Sequence, residues 1–218
     1  MGRVSDARER LLKAVTELMW ENSYGSASVD AICRRAGVKK GSFYYFFESK
    51  SDLAVAALED QWQHTEPELE KIFAASTPPL QRLRNYFEAV YTKQRECCEQ
   101  RAYALGCPYQ SIGAEICTQD AKILNRVRMI LDRTLSYIEK AVRDAYDNRA
   151  IAISDPQATA WALFCLYEGA LAQARIHNNP HLLRDLPAAA MQQLGVAQDQ
   201  AADDQTSPPQ QALRQATS

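Results

Sequence analysis

Apolar residues recur every three or four positions along most of this 218-residue chain. That spacing is typical of amphipathic helices, and no segment alternates convincingly in the way a half-buried strand does. The pattern therefore predicts an all-α protein of about nine helices. They are expected over residues 5–20, 29–36, 40–47, 50–75, 79–99, 108–117, 120–146, 156–177 and 182–194. Pro67 lies inside one of them and predicts a kink or break there, because proline removes a backbone donor and clashes with the preceding turn.

The most informative part of the chain is a pair of short helices joined by a tight turn. Val29, Ile32 and Ala36 fall on one face of the first helix, and the glycine that follows permits a turn. In the second helix Phe43 and Phe47 are four residues apart and are expected to point inward. The pattern predicts a helix-turn-helix.

The outward side of the second helix carries cations, hydroxyl groups and aromatic rings. Lysines neutralise phosphates, hydroxyl groups bond to phosphate oxygens or base edges, and a helix N-terminus offers backbone N–H donors. This chemistry indicates a DNA-binding surface. The residues expected to contact DNA are Ser28, Lys39, Lys40, Gly41, Ser42, Tyr44, Tyr45 and Lys50.

The stretch from Ser28 to Leu53 resembles the N-terminal DNA-binding domain of the TetR family of transcriptional regulators. The family pattern Ala-Gly-Val-Ser-Lys-Gly-Thr-Leu-Tyr-His-Tyr-Phe-x-Ser-Lys-x-x-Leu has its counterpart in Ala36-Gly37-Val38-Lys39-Lys40-Gly41-Ser42-Phe43-Tyr44-Tyr45-Phe46-Phe47-Glu48-Ser49-Lys50-Ser51-Asp52-Leu53. Lys39 replaces a small polar residue, and Tyr45 replaces a histidine that commonly touches phosphate. These departures change the details of DNA contact and not the DNA-binding role. Motif-level resemblance covers about residues 8–60.

The resemblance implies a transcriptional regulator, by default a repressor, that binds a palindromic double-stranded operator as a homodimer and is released by a small-molecule effector of unknown identity. It implies a helix-turn-helix DNA-binding domain over residues 1–48 and an effector-binding and dimerisation domain, a C-terminal helical bundle, over residues 49–196. Residues 197–218 are rich in Gln, Asp, Ala, Ser and Pro and are expected to form a disordered tail.

The charges are distributed unevenly in a way that suits this organisation. Residues 1–50 hold nine Lys and Arg against six Asp and Glu, whereas residues 51–218 hold sixteen against twenty-one. A basic head on an acidic body reconciles DNA binding with the net charge of −2. The chain has no run of about 18 apolar residues and no apolar secretory signal, so we expect a cytoplasmic protein without a membrane partner.

A single helix-turn-helix contacts about half of a DNA site, so sequence selectivity favours a dimer. The predicted helix over residues 156–177 has one side of small residues, which permits close approach of another helix. Its partner in the interface is expected to be the helix of the 140s or the one after Pro180, although packing inside a monomer would give the same pattern. The small residues are Ala158, Ala162, Gly169 and Ala172.

Aromatic residues on the predicted bundle helices are candidates to line an effector cavity, and they are equally compatible with an ordinary core. The residues selected for the effector site are Tyr86, Tyr91, Cys107, Tyr109, Trp161, Phe164, Cys165 and Tyr167, with Phe87 and Tyr103 as further aromatic candidates.

Cys107 precedes Pro108 at the predicted start of a short helix. The positive end of a helix dipole lowers a thiol pKa, so this cysteine is expected to be reactive. The segment from Gly106 to Glu115 also resembles one found in TetR members that respond to electrophiles or oxidants through a cysteine. The alternative is a buried cysteine with only a structural role.

The sequence contains none of the catalytic motifs sought. The three histidines form no metalloprotease motif, and there is neither a phosphate-binding glycine loop nor a nucleophile elbow. The cysteine spacings do not make a metal site. We therefore expect no enzymatic activity, no cofactor and no metal. An interaction protein that keeps a helix-turn-helix without binding DNA remains the alternative to a regulator.

Overall fold

The computed structural model describes residues 2–116 and 118–196. Within these ranges the chain forms nine α-helices, one short 3-10 helix and no strand, which confirms the all-α prediction. Cys117 and the predicted tail over residues 197–218 lie outside the described residues. The helices are α1 Gly2–Glu21, α2 Val29–Ala36, α3 Lys40–Phe46, α4 Lys50–Ile72, α5 Pro79–Arg101, α6 Pro108–Ile116, α7 Ala121–Asp147, α8 Pro156–Ile176 and α9 Leu186–Gln193, with the 3-10 helix Pro180–Leu183 before α9.

Helices α1 to α3 pack together as a three-helix head. The Oγ atom of Ser28 accepts the backbone N–H of Ala31 at 3.1 Å and so caps α2. Gly37 ends that helix with a φ of 63°, a left-handed conformation that glycine adopts without steric cost. Phe43 and Phe47 are both buried, as the sequence predicted.

Helix α4 runs without a break through Pro67, so of the predicted kink or break the break is wrong. Proline leaves the carbonyl of Gln63 without its usual helical donor. Both residues are exposed, and water can therefore satisfy that carbonyl. Trp62 and Leu69, on either side of the proline, are buried and hold both halves of the helix against the core.

Helices α4 to α9 form the second body of the protein, in which α7 packs against α4, α5, α6 and α8. The carboxylates of Asp120 and Asp155 cap α7 and α8, and Pro156 occupies the first turn of α8 as predicted. The single helix predicted over 182–194 is instead the 3-10 helix followed by α9, because Pro187 fits the first turn of a new helix better than the interior of a longer one. Among the described helices, none is both long and apolar enough to cross a membrane.

Candidate DNA interface and effector site

Helix α3 presents an aromatic and cationic face to solvent. Tyr44 and Tyr45 expose 54% and 75% of their surface, although the neighbouring Phe43 is fully buried. Lys39 is exposed at the extended position that precedes the helix, and the space around the Cα of Gly41 is open. Around Gly41 the described residues therefore leave room for close approach of a DNA backbone to the N-terminus of α3.

Two other predicted DNA contacts are engaged inside the head. The ammonium group of Lys40 lies 3.0 Å from the carboxylate of Asp30, which raises the pKa of Lys40 through a hydrogen bond and opposite charge. Both side chains are exposed, so the pair is weak and lysine remains free to move to a phosphate. Ser28 is exposed, and its hydroxyl hydrogen is still available as a donor while its oxygen caps α2.

Lys50 does not share the exposed face of α3. Its ammonium group donates to the carbonyl oxygen of Tyr24 at 3.0 Å and lies 3.9 Å from the centre of the Tyr24 ring. Burial lowers the pKa of Lys50 and raises that of Tyr24 to about 12. The sequence indicated that Lys50 lies near a helix start and could contact DNA. Only the fold shows that the Tyr24 carbonyl oxygen binds the same ammonium group.

Glu115, in α6, joins the head to the second body. Its two carboxylate oxygens accept the backbone N–H groups of Tyr24 at 3.0 Å and Gly25 at 2.7 Å, in the loop between α1 and α2. Lys122 pairs with Asp52 in the first turn of α4 at 2.9 Å, which adds a second polar contact near the head. The two hydrogen bonds of Glu115 therefore connect α6 to the loop that leads into α2 and the DNA-binding helix α3.

The loop that leads into α6 is held by the side chains of Gln94, in α5, and Arg175, in α8. Gln94 both donates to the carbonyl of Gly106 and accepts its N–H, each at 3.0 Å. Arg175 donates to the carbonyls of Leu105 at 2.8 Å and Trp20 at 3.2 Å. Gly106 has a φ of 68°, and a Cβ there would lie 3.0 Å from the Cβ of Arg175, so any side chain would be strained.

Cys107 caps α6, and the Gln110 N–H lies 3.4 Å from its Sγ atom. The predicted position at the helix start is therefore confirmed, but the predicted lowering of the thiol pKa is wrong. Cys107 is buried, and burial together with the nearby carboxylate of Glu168 raises the pKa of its thiol well above the ordinary value. Desolvation outweighs the helix N-terminus at this position.

Glu168 carries a carboxyl group that interacts with the Cys107 thiol inside the second body. Its Oε2 atom is shielded from solvent and has no hydrogen-bond partner in the described part of the chain. Burial raises the pKa of Glu168 to about 7, and the Cys107 thiol opposes that rise only in part. The phenol groups of Tyr86 and Tyr167 lie near this carboxyl group, and both tyrosines are buried.

The structure brings together only part of the predicted effector set. Cys107, Tyr86 and Tyr167 surround Glu168, and the Phe164 ring lies 6.0 Å from that of Tyr167. Tyr109 lies beside Cys107, and burial raises its pKa.

The remaining predicted aromatic residues lie apart from this cluster or at its edge. The Tyr91 hydroxyl group hydrogen-bonds to Nδ1 of His181 at 3.1 Å. Tyr103 lines a surface groove with Glu17, Glu21 and Arg101. The Phe87 ring is buried 6.3 Å from that of Tyr167.

One side of α8 is exposed in the isolated chain. Trp161 exposes 55% of its surface, and Cys165 and Gly169 follow it at four-residue spacing. Trp161 and Cys165 therefore lie on the outward stripe and not around Glu168. Ala158 is exposed and Ala162 and Ala172 are half-buried along the same stripe.

Sequence analysis missed Glu115 and Glu168. A glutamate in an amphipathic helix is normally expected to face solvent. Glu115 could not be linked to the loop amides that it binds, because they are about 90 residues away along the chain. For Glu168 the sequence does contain a hint, because it is the first charged residue of α8 after twelve uncharged ones. A charge in such a stretch indicates a polar group near the core.

Replacing Glu168 by glutamine is expected to stabilise the fold at alkaline pH. The folded chain holds the Glu168 proton up to about pH 7, whereas the ordinary pKa is 4.5. Stability attributable to this group is therefore present at low pH and is lost as pH rises between these values, by up to about 3 kcal/mol. Urea unfolding at fixed protein concentration should show Glu168→Gln more stable than the parent at pH 8 and similar at pH 4. The exposed Glu88→Gln serves as control; an equal effect of Glu168→Gln at both pH values would contradict the assignment.

Comparison with known proteins identifies the family. Residues 11–57 match the model for bacterial regulatory proteins of the tetR family, and residues 79–190 match the tetracyclin repressor-like C-terminal domain. The transcriptional regulator AcuR of Cereibacter sphaeroides is 28% identical over 177 residues, which cover 80% of this chain and 78% of AcuR.

Solved structures give the same result. A regulatory protein TetR from Rhodobacter sphaeroides superposes with a TM-score of 0.74 at 26% identity, covering 86% of this chain and 98% of that one. The reduced form of Escherichia coli NemR, a transcriptional repressor, superposes with a TM-score of 0.71 at 21% identity, covering 85% and 96% of the two chains. With its exposed helix-turn-helix face and both domains of the family, the chain belongs to the TetR family of DNA-binding transcriptional regulators.

Proposed function

We propose that the protein is a repressor that binds a palindromic operator as a homodimer and is released by a small-molecule effector. The observation that carries this proposal is the outward face of α3, where Tyr44 and Tyr45 are exposed beside Lys39 while Phe43 is buried. Large aromatic side chains left in solvent on a cationic helix are suited to a groove of DNA. The proposal places the protein in the cytoplasm and assigns it no enzymatic activity.

Homodimerisation is supported by the exposed side of α8. A tryptophan exposed by 55% beside small residues is unfavourable in water and is suited to close helix packing. Two further apolar residues lie nearby. Ile176, at the end of the same helix, exposes 71% of its surface, and Leu182, in the 3-10 helix, exposes 48%. We assign Trp161, Ala158, Ala162, Gly169 and Ala172 to an interface formed by two copies of this surface.

The division into a DNA-binding domain over 1–48 and a regulatory domain over 49–196 belongs to the same proposal. The effector site is assigned to the cluster around Glu168. An effector that prefers one arrangement of α6 changes the position of Glu115 and so the position of the head. Such coupling is bounded by the difference in effector affinity between the two states, typically about 1–3 kcal/mol.

Removing a lysine and removing a tyrosine from the outward face of α3, here called the reading face, should have different effects on DNA binding. Lys39→Ala is expected to weaken binding to operator and random DNA alike and to reduce the salt slope by about 1, because it removes one phosphate contact. Tyr44→Ala is expected to weaken operator binding selectively, by about 1–3 kcal/mol, because the ring is placed to reach base edges. The measurement is a salt titration of binding to DNA from upstream of the protein's own gene and to a scrambled duplex.

Lys140→Ala, an exposed lysine of α7, controls for loss of one positive charge away from the reading face. Equal losses on both duplexes for Tyr44→Ala would refute its assignment to base contact. Parent protein that binds both duplexes equally would refute the repressor and favour an interaction protein.

Thiol-based sensing of electrophiles or oxidants through Cys107 is the second candidate function. It is favoured by the place of Cys107 at one end of α6, since Glu115 at the other end binds the head. The structural relative NemR was solved in a form described as reduced. The raised thiol pKa of Cys107 means that the reaction should be slow at neutral pH.

The cysteine hypothesis is tested with N-ethylmaleimide and operator DNA. Treatment should weaken DNA binding of the parent by roughly tenfold, consistent with about 1.4 kcal/mol of coupling. Cys165→Ser, which removes an exposed thiol, should respond like the parent, whereas Cys107→Ser should not respond. Release of Cys107→Ser by the reagent would rule out Cys107 as the sensor.

A further inference from the structure

The carboxyl group of Glu168 lacks a cationic partner. Its pKa is shifted by burial and by the Cys107 thiol, and no lysine or arginine contributes. The groups near it are the Cys107 thiol and the phenols of Tyr86 and Tyr167, all of which are neutral at physiological pH because burial raises their pKa values. Within the described residues, this side chain has no ion pair and one unpartnered oxygen.

Burying a carboxylate without a cationic partner is costly even when a thiol lies beside it, and a proton or a cation offsets that cost. A proton does so below about pH 7. Above that pH the site has an unpaired negative charge, which favours a positively charged occupant and disfavours an anion.

Aromatic rings cluster near this carboxyl group. The ring centres of Tyr86 and Tyr167 are 5.5 Å apart, and those of Phe87 and Phe164 lie 6.3 and 6.0 Å from that of Tyr167. The faces of such rings attract cations and also pack against hydrocarbon groups. The aromatic rings and the carboxyl group therefore both favour a positively charged organic molecule.

We propose that the effector is a small organic cation, a protonated amine or a quaternary ammonium compound, whose charge pairs with Glu168 and whose apolar part lies against Tyr86 and Tyr167. This inference rests on the proposed effector-released repression. Glu168 is itself only half-buried, and the neighbouring Cys165 and Gly169 are exposed, so the carboxyl group lies close to solvent along α8. Cys107, beside the carboxyl group, begins α6, whose other end contacts the head through Glu115.

A cation from the second copy of the chain is the competing occupant, since the exposed stripe of α8 is also the proposed dimer interface. The two occupants predict different results. A partner cation makes Glu168 necessary for the dimer, whereas an effector cation makes it necessary only for ligand binding.

The test measures binding of a probe panel to the full-length chain by calorimetry at pH 8. Benzylamine, butylamine and tetraethylammonium are the cationic probes, and benzyl alcohol is the neutral match for benzylamine. At least one cation should bind, more tightly than benzyl alcohol, and Glu168→Gln should weaken it by about tenfold or more. Glu168→Asp keeps the charge and should retain more affinity than Glu168→Gln, while Glu88→Gln should bind like the parent.

Operator affinity without probe and dimer mass are measured on the same samples. Retained operator binding with no binding by any of the three cations, or with equal binding by parent and Glu168→Gln, would overturn the cationic effector and leave the repressor intact. Conversion of Glu168→Gln to a monomer would also overturn it, in favour of the partner cation. Loss of selective operator binding by the parent itself would refute the proposed function separately.

Discussion

The position of the DNA-reading head depends on the hydrogen bonds that Glu115 accepts from the loop between α1 and α2. One carboxylate receives two backbone N–H groups, at 3.0 and 2.7 Å, so the contact is charge-assisted and fixed in direction. The nearby ion pair of Lys122 with Asp52 joins α7 to α4 within the second body and does not contact the head directly. The loop leads directly into the capped start of α2, and the packing of α2 on α3 carries its position to the recognition helix.

Helix α6 connects this contact to the interior of the regulatory domain. It has nine residues and spans about 13 Å, short enough to move as a rigid rod. Cys107 caps one end beside Glu168, and Glu115 lies near the other end. The loop before α6 is held by Gln94 and Arg175, so the end of α6 that carries Cys107 is fixed in place by hydrogen bonds. The proposed effector site near Glu168 and the DNA-binding face of α3 are thus related through one short element.

The sequence was sufficient for features that arise from local chemistry. Helical spacing and the Gly37 turn identify the helix-turn-helix without knowledge of the fold, since each depends on neighbouring residues. The hydrogen-bond partners and pKa values of partly or fully buried polar side chains could not be predicted. Lys50 turns to a carbonyl group across the head, and Cys107 has a raised instead of a lowered thiol pKa, because tertiary packing decides their surroundings. The unbroken α4 at Pro67 likewise reflects packing on both sides of the proline.

Amide hydrogen exchange in the loop over residues 22–28 tests most directly whether Glu115 holds the head. Glutamine at position 115 offers one acceptor in place of two, so Glu115→Gln should speed exchange at Tyr24 or Gly25 by about tenfold, as loss of a charge-assisted hydrogen bond implies. Exchange in the buried part of α4 should not change, and Glu88→Gln should resemble the parent. Unchanged protection of both amides in Glu115→Gln would contradict the role of this contact and leave the head held by helix packing and by the hydrogen bonds of Arg175 and Lys50.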